Sequence, residues 1–143
     1  STVPLSPPSI EVDPGFYGKW MLDSTDENPG FYQIGELDGL KFTLDKYSWD
    51  SDNEAYGLDN AYEAWFTDIG ETRFMNVEET ADEGTYYLYK VEMDGDTRCF
   101  LVEVTDNIDE TFDTSEEMYD FFAQYRHLSF FYNSDEENYA KGE

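Results

Sequence analysis

The chain has 143 residues, with 34 Asp and Glu against 8 Lys and Arg, and a formal net charge of −26 at pH 7. At 39% hydrophobic and 18% aromatic it is too apolar for a disordered acidic tail, and its length fits one folded domain. A surface this negative repels nucleic-acid phosphates and anionic lipid, and no apolar run approaches the ~20 residues of a membrane-spanning helix.

Residues 1–14 open with Ser1-Thr2-Val3-Pro4-Leu5-Ser6-Pro7-Pro8-Ser9. Such a proline- and serine-rich stretch cannot hold a helix and is expected to be an extended tether. A single domain is expected over 15–133. Its first strand is read at 16–22, ended by an acidic turn at 23–30, and its second at 31–37. Asp38-Gly39 supplies a hairpin turn, because Asp-Gly tolerates the positive φ that such turns require. In the third strand Leu40, Phe42 and Leu44 alternate with Lys41, Thr43 and Asp45, giving one apolar and one wet face. Residues 47–60, dense in Asp, Asn, Ser and Gly, read as a long loop. Strands follow at 61–68 and 71–78.

The strongest local pattern is a hairpin around Asp94-Gly95-Asp96, with arms at 86–93 and 97–104. Tyr87, Tyr89, Val91 and Met93 share one face of its first arm, and Phe100, Val102 and Val104 one face of its second. A helix begins near Asp113 or Thr114, either of which can cap it, with Glu116 and Glu117 well placed against the helix dipole. Met118, Phe121, Phe122 and Tyr125 recur at spacings of three and four and form a stripe that packs on the sheet. A short strand at 128–132 and a polar tail at 134–143 complete the chain. The fold class expected is mainly β: an antiparallel up-and-down meander forming a barrel or curved sheet, with one late α-helix.

Gly18-Lys19-Trp20 in the first strand resembles the opening signature of lipocalin-like proteins, in which the Trp closes one end of the barrel. Phe74-Met75-Asn76-Val77, Tyr86-Tyr87-Leu88-Tyr89-Lys90 and Phe112-Asp113-Thr114-Ser115-Glu116-Glu117-Met118 resemble segments of small bacterial lipoproteins with a lipocalin-like domain. The Ser-Thr opening is similar to the linker that follows the lipidated cysteine of such proteins. The resemblance implies a location in the bacterial cell envelope, with membrane attachment only through a lipid anchor preceding Ser1.

Chemistry-bearing patterns are few. Cys99 has no disulfide partner and reads as a buried thiol, and His127, the one histidine, lies in a different segment. Asp50-Ser51-Asp52-Asn53-Glu54 begins like a calcium loop, but the EF-hand pattern needs Gly and an acid where Ala55 and Ala61 stand. No phosphate loop or nucleophile elbow occurs, so no catalytic residue, metal or cofactor is expected and the chain reads as non-enzymatic. Trp20, Trp49, Trp65, Tyr87 and Phe100 are the candidates for lining a pocket at a barrel mouth, against the alternative that they fill the core. Trp49, set in the polar stretch, is the aromatic most apt to touch a partner.

No base interrupts residues 47–72 or 99–125. These tracts fit solubility in salt, an acidic surface for a basic protein, or imitation of a phosphate backbone. Two functions follow: a lipid-anchored envelope protein binding a basic or neutral protein partner or a small apolar molecule, or an acidic DNA-mimic inhibitor of a DNA-binding protein. Neither engages nucleic acid directly.

Overall fold

Alternation of apolar and polar side chains, broken by tight turns, drives each strand to pair with the one before it. In the computed structural model, which describes residues 1–105 and 111–142, the strands are β1 (Gly18–Leu22), β2 (Phe31–Glu36), β3 (Phe42–Asp50), β4 (Ala55–Ile69), β5 (Thr72–Glu79), β6 (Tyr86–Asp94), β7 (Arg98–Val104) and β8 (Tyr132–Lys141). They form a closed antiparallel barrel in chain order, the meander expected of a lipocalin-like barrel. The last strand returns to the first through Trp20↔Lys141 and Leu22↔Tyr139, which leaves no sheet edge open. Among the described residues one α-helix, α1 (Ser115–Tyr125), lies between β7 and β8.

Three expectations are corrected. Residues 47–60 are not a loop: β3 and β4 run on as a long hairpin, with Tyr47↔Leu58 and Trp49↔Tyr56 paired across it. Cross-strand contacts between large side chains outweigh the polar composition. The turn shrinks to 51–54, where the Asp50 carboxylate accepts bonds from Asp52 N (3.0 Å) and Asn53 Nδ2 (2.6 Å). The C-terminal stretch is not a tail, because 132–141 is β8, while Ser129–Phe131 forms a 3-10 turn where a strand was expected. The acids Asp135, Glu136 and Glu137 sit in that strand with exposed side chains, so their polarity does not oppose the backbone pairing with β7.

The third correction concerns residues 1–14, which lie on the barrel and do not stand off it. Leu5 is buried in an outer core with Ile69, Phe74, Leu88, Val104, Met118, Phe122 and Phe131. That core sits between the wall and α1, whose N-cap Thr114 accepts a bond from Glu117 N at 3.2 Å. Further along, Val12 N donates to Gly39 O (3.0 Å) and a 3-10 turn, Pro14–Phe16, crosses the bottom of the barrel. There Phe16 packs on Trp20, Phe42 and Phe66 at centroid distances of 5.8, 5.2 and 5.3 Å, stopping that end with aromatic rings.

Candidate functional site

The paired registers decide which side chains face the interior. Ile34↔Leu44, Phe42↔Ala64, Phe66↔Met75 and Val91↔Leu101 set the inward face, and these residues are all buried. Continued toward the end where β2, β4, β6 and β8 begin, the same face carries Tyr32, Tyr62, Tyr89 and Tyr139. Tyr32 stands opposite Lys46, Tyr62 opposite Glu79 and Tyr89 opposite Glu103, while Glu137 lies one inward position above Tyr139. The open end is therefore a cup of tyrosines under a rim of carboxylates.

Contacts within the cup are close. The rings of Tyr32 and Tyr139 are 5.5 Å apart, and the Tyr139 hydroxyl donates to Glu137 Oε2 at 3.2 Å. Burial, reinforced by the charge of Glu137 and by Tyr62, pushes the Tyr32 hydroxyl up to about 12. Burial also raises Tyr89, beside Tyr32, Glu103 and Glu137, and Tyr139, beside Tyr32 and Glu137. Tyr62 is raised by burial and then by Glu79. The hydroxyls stay neutral at ordinary pH, so the cup offers π faces and acceptors. Beside the rim, a cavity of about 520 Å³ is walled by Glu103, Asn133, Ser134, Asp135 and Glu137.

Basic residues are sorted along the barrel axis. Lys19, Arg73, Arg98 and Lys141 lie within two residues of the strand ends at the stopped end, and Lys41 lies in the turn there. The open end carries Lys46 together with Asp50, Asp52 and Glu54 on the β3–β4 tip, Asp82 and Glu83 on the next turn, and the acids of β8. Like charges this close repel, and the Debye length shrinks from ~30 Å at 0.01 M salt to ~8 Å at 0.15 M. Melting temperature is accordingly expected to rise across that salt range; a flat or falling curve by differential scanning calorimetry would show that repulsion does not limit stability.

No family model, curated protein or solved structure matches this chain. Geometry alone therefore ranks the candidates. The structure does not gather the five aromatics singled out above. Trp20 is 2% exposed near the stopped end and donates its Nε1–H to Phe16 O at 2.8 Å. Trp65 points outward under the N-terminal segment, its Nε1–H bonded to Ser6 O at 2.8 Å. Phe100 lies outside on β7, opposite Glu92 and Asn138. Trp49 packs edge-on to Tyr56 at 5.1 Å on the outer face of the hairpin. Its neighbours there form a half-buried patch in which Phe31 stacks on Tyr47 at 5.0 Å and Lys19 Nζ lies 4.2 Å from the Phe31 ring. Only Tyr87 reaches the mouth. The other tyrosines and the rim glutamates were legible in principle as inward positions alternating along strands, but Tyr139 lay in the stretch read as a tail.

Two further places carry less. Cys99 is buried and points inward, and burial pushes its thiol up to about 12, far from a reactive thiolate. A cavity of about 360 Å³ between α1 and the outer faces of β6 and β7 is lined by Leu88, Val104, Met118 and Phe122. Its wall includes Thr105 and Thr111, which flank residues outside those described, and no site is assigned to it.

Proposed function

We propose that the chain is a non-enzymatic binding protein whose open barrel end takes a cationic group presented by a basic protein partner. The observation that carries this reading is the set of four inward tyrosines beneath Glu79, Glu103 and Glu137, in the half of the molecule poorest in basic residues. An ammonium or guanidinium entering the cup meets ring faces worth ~0.5–2 kcal/mol each, and carboxylates that hold it. An apolar small molecule is a poorer fit, since Phe42, Phe66, Met75, Val77 and Val91 already fill the space below. The resemblance to envelope lipoproteins supports a location in the bacterial cell envelope, where a basic partner meets the acidic rim.

The test is a calorimetric titration with an oligo-lysine peptide and with the same peptide acetylated on every side chain. The charged peptide is expected to bind and the acetylated one not. Glu103→Gln combined with Glu137→Gln is expected to weaken binding about tenfold, whereas Asp52→Asn with Glu54→Gln, an equal change of charge on the hairpin tip, changes it little. Equal losses from the two pairs would reduce the interaction to net charge and remove the cup from it.

A further inference from the structure

In a chain of net charge −26, one cleft collects three of the eight Lys and Arg residues together with the one histidine. Arg73, Lys90, Arg126 and His127 line a cavity of about 330 Å³ between β5–β6 and the turn after α1. Two of these cations are already matched. Arg73 holds Asp68 with both Nε and Nη2, at 2.7 and 2.9 Å, and Lys90 pairs with Glu92 at 3.4 Å. Arg126 is not matched. Its Nη1 donates to Ala123 O, the C-terminal carbonyl of its own helix turn, and its Nε is the only buried side-chain nitrogen or oxygen among the described residues without a hydrogen-bond partner.

An orphaned buried guanidinium nitrogen costs desolvation that no protein acceptor returns, which in native proteins marks a place for an ion or water. The fold nevertheless holds this side chain in place. Tyr132 donates its hydroxyl to Arg126 O at 2.6 Å, fixing the turn. Gly70, with φ 60°, turns the chain between β4 and β5, and a Cβ there would stand 2.9 Å from Arg126 Nη2. The absent side chain is thus what admits the guanidinium. Glu71 and Glu92 also border the cleft, so a singly charged anion gains little there. A dianion with several oxygens gains more, because it can take the Nε–H of Arg126 while drawing on Lys90 and His127.

We infer that this cleft binds a phosphate dianion, free or as a phosphomonoester, with Arg126 as its principal ligand. This site is independent of the barrel mouth and stands whether or not the mouth binds a basic partner. It is tested on the intact protein by NMR titration with inorganic phosphate, following the Arg126 Nε–H resonance and the His127 ring protons. Saturable shifts confined to 71–73, 90–92 and 126–129 are expected. Chloride at matched ionic strength should not reproduce them. Arg126→Met is expected to weaken binding about tenfold or more, and Lys90→Gln, a change at a partly exposed side chain, by a smaller factor. Glycerol phosphate binding more tightly than inorganic phosphate assigns the site to a phosphomonoester, and the reverse assigns it to the free ion. An unmoved Nε–H resonance in the wild-type protein, or equal shifts with chloride, would overturn the inference without reference to any variant.

Discussion

Titrated upward from pH 10, the protein is expected to unfold cooperatively, with tyrosinate absorbance rising in the same step that the β-sheet signal falls. The ordinary tyrosine value is 10.0, and in the folded barrel Tyr32 is raised to about 12, with Tyr89 and Tyr139 raised as well. A folded-state value above the unfolded one means that the unfolded chain loses its proton first. The stabilisation from these buried hydroxyls is therefore fully present below pH 10 and is lost as pH climbs through the folded values. At 1.36 kcal/mol per unit, Tyr32 alone removes about 3 kcal/mol by the time it titrates, a large fraction of a typical domain's stability. Tyr32→Phe should move the midpoint to higher pH. Tyrosinate forming gradually from these residues while the sheet persists would mean that their hydroxyls are hydrated and ordinary.

The second large effect is expected at Asn76. This side chain is fully buried on the outer face of β5, where its Oδ1 accepts from Leu5 N at 2.7 Å and its Nδ2 donates to Thr67 Oγ1 at 2.9 Å. Thr67 in turn shares a 2.6 Å hydrogen bond with Ser6 Oγ. One amide thus ties the N-terminal segment to the wall. Asn76→Ala leaves the Leu5 N–H without its acceptor beneath a closed apolar layer, and such orphaned groups cost ~1–3 kcal/mol each. The expected loss is about 2–4 kcal/mol in urea denaturation, together with faster proteolysis within residues 1–12. The two readouts should move together, because the amide acts by holding that segment down. A variant that loses stability while residues 1–12 stay protected would assign Asn76 to the wall alone.

Much of the architecture was legible because alternation is local: Leu40, Phe42 and Leu44, or Tyr87, Tyr89 and Val91, declare their faces without reference to distant residues. The late helix declared itself through Thr114 and the Met118–Phe122 spacing. What failed was wherever composition argued against pairing. The acids around Asp50 and those at 135–137 look like loops, yet their backbones pair because Tyr56 packs on Phe31 and Tyr139 stands opposite Leu22, partners far away in the sequence that no local window contains. The site was misplaced for a related reason. Tryptophans drew notice by size, but here Trp20 stops the barrel and Trp65 covers its outside, each with its indole N–H bonded to backbone, and Trp49 lies on the outer face of a hairpin, while the cup is made by smaller aromatics that differ from core residues only by a hydroxyl. The N-terminal segment was misread because its prolines exclude a helix but say nothing about docking; Leu5 and Val12, both buried, carried that signal.

The sorting of charge along the barrel axis also has a consequence at long range. Separated ends of unlike composition give the molecule a permanent moment, and a positively charged surface some tens of ångströms away exerts a torque on it before any atoms touch. On the function proposed above, a basic partner meets the mouth first, and fewer encounters are wasted on the wrong face.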